Sequence, residues 1–571
     1  MALCHRRAHR CHHRPHDLRP LRRRPHPRTA PVPRGEHLPA SPAAHLPEDP
    51  TGRLVTRDGV SLPRRIERAR LHSLPPDPAG RQHRNHLPVP CLLGRTAGPL
   101  RPPAAVGAKA QPRRGGARMR IVLLSHYYYP EVGAPQRRWR ILVDHLRAAG
   151  HEVITVAPHP HYPYPDRDGF FGSRVGRGRR RVDVRLGGTW DTGINGERIL
   201  RVPYLHSGSS MARQMLDQTV SATGAMSAVI DRLRGRMKPD VIVSTTPALP
   251  FLLAGDTLSR LLRVPHVAEV RDAWPDLISE MNLVSGALGK YLPGTLTSSL
   301  EHRLLPNLLT RAQRRAAVVV VTTDGFKHRL EQRGVTAEVV RSGVSPAELE
   351  GASGLTATGA IPLIPPAEET VSAAGIANRK PAAGRTGLNL LYVGTVGRSQ
   401  DLSTSIRALA RTEGVRLRIV GDGVDTAELK SVAAAHRVPV EFHSQHAGAE
   451  LAAHWDWADA GLVSLSSLES YECTVPSKLY SLMARRIPVL GVVAGEAADI
   501  ITGTAAGEVA IPGDITSVSA AMGRMRERVE AGEEFGTNPP TGQEPREWVI
   551  RHASAAAMGQ GYERILTQVV S

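Results

Sequence analysis

From Met119 onward, short apolar runs alternate with amphipathic helical patterns, and the alternation starts afresh near residue 388. MRIVLLSH (119–126) has the composition of a buried strand. YYYPEVGAPQRRW (127–139) is a Gly- and Pro-bearing loop, ILVDHLRAAGH (141–151) is a helical pattern closed by Gly150, and EVITVAPH (152–159) is a second strand. Strand, helix and strand in that order form a βαβ unit, and repetition of the unit dictates a parallel sheet with helices on both faces. Further strands are expected at 198–204, 240–244, 266–270, 317–322 and 337–340. A second series runs through LNLLYVGT (388–395), VRLRIVGDG (415–423), VPVEFHSQ (438–445), AGLVSLSS (460–467), IPVLGVVAG (487–495) and GEVAI (507–511).

The predicted class is therefore α/β, with two doubly wound Rossmann-like domains facing each other across a cleft at the carboxyl ends of their strands. The expected boundaries are an extension at 1–118, a first domain at 119–346, and a linker or insertion at 347–385 that is rich in Ala, Gly, Pro and Thr. A second domain follows at 386–545, then a helical segment at 546–571 that packs across the two. No G-x-G-x-x-G follows the first strand, which argues against a dinucleotide site there.

The junction Thr474-Val475-Pro476-Ser477-Lys478 leads from a polar loop into an amphipathic helix. Such a junction aims free backbone N–H groups and the positive helix end at one spot, with the Lys478 ammonium on the same turn. That arrangement suits an anion such as a diphosphate. A first-turn cation opposes the helix dipole, which sharpens the case for a ligand against the alternative of a solvated lysine.

Charge is distributed unevenly. Residues 1–118 hold 24 Lys and Arg against 7 Asp and Glu, a net +17 of the total +21, and the remaining chain is close to neutral at +4. The extension also carries 11 of the 25 His and 20 of the 46 Pro, with neither helical nor strand periodicity. Three readings stay open for it. It is a disordered basic arm for nucleic acid or anionic lipid, a zinc site from Cys4, His9, Cys11, His12 and His13, or upstream sequence read through ahead of a start at Met119. The third is favoured, and no specific nucleic acid is expected as a partner. Four cysteines (Cys4, Cys11, Cys91, Cys473) give no disulfide framework, and no apolar run reaches the roughly 20 residues of a membrane span. The expected location is cytoplasmic.

With these pieces in place, the chain from Met119 to its end resembles the retaining GT-B glycosyltransferases that use nucleotide-activated sugars. It is nearest those that build bacterial exopolysaccharide and O-antigen repeat units of the colanic-acid type. The resemblance is carried, in order, by the Tyr-Pro-Glu loop at 129–131, Gly-His-Glu-Val at 150–153, His-Tyr-Pro at 161–163 and EVRDAWPD at 269–276. It continues through YVGTVGRSQDL at 392–402, IVGDG at 419–423, VPSKLYSLMA at 475–484 and GEAADI at 495–500.

The resemblance implies a UDP-sugar or similar donor as substrate, with no bound cofactor and no metal. It also implies a polyprenyl-diphosphate-linked saccharide acceptor and peripheral contact with the inner face of the cell membrane. Arg398 would pair with the diphosphate, supported by Gly394, Gly397 and Gln400 on the same loop. Gly421 and Gly423 would lie beside the nucleotide base, Ser477 and Lys478 would hold the β-phosphate, and Gly133 would border the sugar phosphate. Arg271 and Asp272 would face the reacting sugar or the acceptor, with Glu269 closing the same strand. A structural ion pair between Arg271 and Asp272 that caps the next helix is the competing reading. Two departures stand out: Ser481 occupies the place of a ribose-binding glutamate, and Ser342-Gly343 replaces the usual Asn-Gly. Glu469, Glu472 or Glu496 are candidates to replace the missing carboxylate. A nucleotide-sugar epimerase and a catalytically weakened glycosyltransferase-like scaffold remain the rival functions.

Overall fold

The computed structural model describes residues 118–131, 133–161, 188–205, 210–233, 237–349, 386–446 and 448–571. The extension up to residue 117, most of the 347–385 segment, and Tyr162-Pro163 of the His-Tyr-Pro motif lie outside the described residues.

The first sheet contains β1 (Arg120–Leu124), β2 (Glu152–Pro158), β3 (Thr189–Thr192), β4 (Arg198–Val202), β5 (Val241–Thr245), β6 (His266–Glu269), β7 (Val318–Val321) and β8 (Ala337–Val339). Their order across the sheet is β3-β4-β2-β1-β5-β6-β7-β8. All neighbours run parallel except the β3–β4 pair. The second sheet contains β9 (Leu388–Val393), β10 (Val415–Val420), β11 (Val440–His443), β12 (Ala460–Ser464), β13 (Val489–Val492) and β14 (Gly507–Ala510). Its order is β11-β10-β9-β12-β13-β14, parallel throughout.

The central strands are apolar on both faces because helices cover both: Ile121, Val122, Leu123 and Leu124 are all fully buried. In the second sheet the strand order reverses between β9 and β12. The loops leaving those two strands therefore diverge and open a crevice at their carboxyl ends, where open α/β sheets take ligands. Both loops carry motif residues, Gly394 to Gln400 after β9 and the segment leading to Lys478 after β12.

Two local features differ from the sequence expectation. Thr189–Thr192 forms an antiparallel edge strand although all four of its residues are exposed, so it has no hydrophobic pattern to announce it. The C-terminal segment is two helices, Pro545–His552 and Ala555–Val570, divided where the Ser554 hydroxyl accepts from Ala557 N as an N-cap. At this break Val344 N donates to Ala553 O (2.7 Å) and Ala555 N to Val344 O (2.9 Å). Val549 of the first helix packs with the β12–β13 core, and Met558, Tyr562, Ile565 and Leu566 of the second pack beneath β1.

Candidate functional site

Helix 477–484 begins where the loop after β12 turns back onto the second sheet, and Ser477 at its first position is exposed. Lys478 points inward, its Nζ 3.7 Å from the centre of the Tyr392 ring on β9. Burial pushes its ammonium down to about 7. No carboxylate lies within ion-pair distance of it among the described residues. A lysine held over an aromatic face without an anionic partner is a cation poised for a ligand.

Arg398 opens a short 3₁₀ turn, Arg398–Gln400, directly after Gly397. Its side chain is 89% exposed, with only a long approach of Nε to Asp425 (4.0 Å). Gln400 is spent locally, since its Oε1 accepts from Gly397 N (3.1 Å) and shapes the turn. Gly394 sits at φ 140°, in the region glycine favours. Gly421 and Gly423 have a packing reason of their own. A Cβ on Gly421 would stand 2.0 Å from Gly394 O, and one on Gly423 1.8 Å from Val396 O. The loops after β9 and β10 thus lie backbone on backbone, stitched by Gly394 N to Val420 O (3.0 Å) and Val396 N to Asp422 O (3.1 Å). The third loop joins through Gln445 N to Asp422 Oδ2 (3.0 Å).

Tyr471 connects the two loops of the crevice to each other, and no sequence motif pointed to it. Its hydroxyl donates to Ser399 Oγ (2.8 Å), next to Arg398. Burial raises its phenol pKa, the Ser399 bond opposes the rise, and the carboxylates of Asp272 and Glu280 add to it. Asp272 of the first sheet therefore sits within electrostatic reach of the Arg398 loop of the second. A shallow hollow lined by Ser466, Ser467, Tyr471, Glu472 and Ala494 lies alongside.

After β6 the sequence expectation needs revision. Glu269 is fully buried and takes hydrogen bonds from Arg138 Nε (2.7 Å), Trp139 Nε1 (2.7 Å) and Thr245 Oγ1 (2.6 Å), so it braces the sheet and does not face the cleft. Arg271 and Asp272 do not pair with each other among the described residues. The helix at Asp276–Glu280 begins at Pro275 with no side-chain cap, which removes the capping reading. Arg271 leans on Thr246 O (3.4 Å) and leaves Nε buried without a partner among the described residues. Gly133 is the N-cap of helix 134–148, and its backbone is extended.

The family model of the glycosyl transferase 4-like domain matches residues 133–342, and that of the glycosyl transferases group 1 matches residues 387–528. The chain belongs to the group 1 glycosyltransferases of GT-B fold. Its fold is similar to that of sucrose-phosphate synthase from Thermosynechococcus elongatus, at 15% identity and a TM-score of 0.54, covering 79% of this chain and 99% of that one. A second solved structure, HepE of Anabaena in complex with UDP-glucose, matches at 14% identity and a TM-score of 0.49, covering 79% of this chain and 100% of that one. No curated protein matches. Among the described residues no helix is long and apolar enough to cross a membrane.

In this glycosyltransferase the position expected to carry glutamate has an unforeseen neighbour. Ser481 is buried, and its hydroxyl donates to Glu348 Oε1 (3.1 Å). Glu348 lies in the short helix Pro346–Leu349 and also accepts from Arg137 Nη2 (3.1 Å), Ser345 N (2.9 Å) and Ser345 Oγ (2.8 Å). A carboxylate therefore does stand beside Ser481, but its oxygens are already engaged. None of the three sequence candidates takes that place. Glu469 is exposed and bonds Arg329 (3.3 Å), Glu472 is exposed, and Glu496 is held by Arg341 (2.6 Å) and Gly325 N (2.9 Å). Through Arg137 the same contact ties Gly133's helix to helix 477–484.

Proposed function

We propose that this chain transfers a sugar from a nucleoside diphosphate donor of the UDP type onto a lipid-linked or growing surface-polysaccharide acceptor, with retention at the anomeric carbon. The observation that carries this reading is Lys478: an ammonium with no carboxylate partner among the described residues, at the N-terminus of a helix, in the crevice where the strand order reverses. Arg398, exposed on the facing loop, supplies a planar fork for the same diphosphate. As the glycosidic bond breaks, negative charge grows on the leaving diphosphate, and the two cations together with the helix N-terminus stabilise it. The leaving phosphate takes the acceptor's proton, and Asp272 orients the sugar or acceptor from the first domain.

The test is calorimetric titration of the full chain with UDP, GDP and their sugar conjugates, followed by product analysis with membrane lipid extract as acceptor source. Binding that Lys478→Met weakens, with a mass-shifted lipid product, supports the reading. No measurable binding of any nucleotide overturns it. One observation favours a second reading, a weakened glycosyltransferase-like scaffold: Ser481 offers the ribose a single hydroxyl that is already bonded. That reading predicts nucleotide binding without turnover over any donor in the panel.

A further inference from the structure

We propose a zinc-class metal site in the first domain, formed by His126, His161 and Asp217. His126 follows β1, His161 follows β2, and Asp217 projects from helix 211–232, so three separate elements converge at the carboxyl end of the sheet. The Nε2 atoms of the two histidines are 3.2 Å apart, and Asp217 Oδ2 lies 3.4 Å from that of His126 and 3.7 Å from that of His161. Zinc bonds of about 2.0–2.2 Å at a tetrahedral angle put neighbouring ligand atoms about 3.3–3.6 Å apart. The three distances describe one face of such a tetrahedron, with the fourth corner left for water.

With both histidines neutral, protons on the protein do not satisfy this arrangement. His161 Nδ1 faces two acceptors, His159 O (3.0 Å) and Glu131 Oε1 (3.2 Å), so it carries the ring proton and leaves a lone pair on Nε2. That lone pair and the Asp217 oxygen converge on one point, where His126 Nε2 could offer a single proton to both. A cation there satisfies all three atoms. His126 Nδ1 has no partner among the described residues, so nothing on its far side fixes the opposite tautomer.

The surroundings have the form of a metal site's outer shell. Glu131 accepts from His161 N (2.8 Å) as well as facing its Nδ1, giving a carboxylate–histidine pair. Asp217 Oδ1 is fixed by Leu205 N (2.8 Å), which leaves Oδ2 to point at the histidines. Tyr127 and Tyr204 stack on His161, and Phe251 meets the edge of His126. His126 and Asp217 are 3% and 2% exposed. Zinc suits an imidazole and carboxylate set.

The experiment is titration of the chelator-stripped full chain with Co²⁺, read by the intense visible bands of tetrahedral cobalt, then displaced with Zn²⁺. Histidines of the extension contribute equally to wild type and variants, so the readout is the difference between them. One equivalent of tetrahedral cobalt in wild type, lost in His161→Asn and in Asp217→Asn, is expected. Glu131→Gln keeps the bands while weakening affinity about 10–100-fold, as an outer-shell partner does. Because Asp217→Asn also disturbs Leu205, X-ray absorption fine structure of wild type with one equivalent of Zn²⁺ reads the ligands without any substitution. Two imidazoles with oxygen neighbours support the site. A sulfur-containing or all-oxygen shell, or cobalt bands unchanged in both ligand variants, overturns it.

Discussion

If Lys478 holds the donor as proposed, this half-buried charge couples binding to pH. In the empty site its ammonium titrates near 7, below the value of about 10.4 for an exposed lysine, because burial disfavours the charged form. An anionic ligand favours the charged form, so the bound state holds more protons than the free state above pH 7. UDP-glucose, whose diphosphate is fully ionised and does not change charge near neutrality, should therefore bind with uptake of up to one proton at pH 8, and its affinity should fall as pH rises from 7. Calorimetry in buffers of different ionisation enthalpy measures the uptake. Lys478→Met should abolish it and weaken binding about 10–100-fold, the loss of one charge-assisted contact. Folding follows the opposite sign: the group's cost is fully present below pH 7 and is relieved as pH rises toward 10, so stability rises where affinity falls. Ser481 gives the opposite kind of expectation. Ser481→Glu would set a second carboxylate against the buried Glu348, so the variant should lose about 1–3 kcal/mol in urea unfolding and gain no UDP affinity. Adding Glu348→Gln should recover most of that stability.

At the scale of elements, the proposed donor side is two loops interlocked through glycine. Gly423→Ala would place a methyl 1.8 Å from Val396 O, a backbone atom that cannot step aside alone. The loops after β9 and β10 must then part, at a cost of about 3 kcal/mol, and Arg398 moves with them. Denaturant unfolding and UDP affinity should fall together. Gly523→Ala, in helix 515–530 with nothing within 4 Å, should instead stabilise the protein by about 0.5–1 kcal/mol.

Apart from the exposed edge strand Thr189–Thr192, the strands of both sheets were legible because most are short, largely apolar runs, and the IVGDG and VGR motifs were legible because glycine is conspicuous. Their reason was not: Gly421 and Gly423 answer to the backbone of another loop, which periodicity does not encode. Glu348 escaped notice because Pro346–Leu349 is one turn beside a linker-like stretch, and only the fold brings it to Ser481. Tyr471 and the trio His126, His161 and Asp217 stayed hidden for the same reason, since the trio spans 91 positions and its members share no spacing. Ser554 did carry a cap signal, but apolar spacing on both sides of it masked the break.

For the whole molecule, the residues between 469 and 496 fasten the second half to the first. Ser470 donates through N and Oγ to Glu280 (3.2 and 2.7 Å), Thr323 Oγ1 donates to Cys473 O (2.7 Å), and Arg341 bridges Asp324 (2.5 Å) and Glu496 (2.6 Å). Glu496 closes this set by accepting from Gly325 N (2.9 Å), so one side chain holds a cation and a helix start of the opposite half. Arg341 and Glu496 are 12% and 13% exposed, enough burial for the pair to be felt and enough water to soften the loss. Glu496→Gln should lower stability by about 2 kcal/mol and loosen the apposition of the halves, which small-angle scattering would read as a larger radius of gyration. The donor loops lie within the second half and do not include Glu496, so UDP affinity should change less than twofold. The proposed mechanism needs Asp272 and Arg398 to meet across the cleft, so on that reading turnover should fall well beyond the change in affinity. An unchanged radius with unchanged turnover would place the fastening elsewhere, in the paired helices 545–552 and 555–570 that pack on both cores.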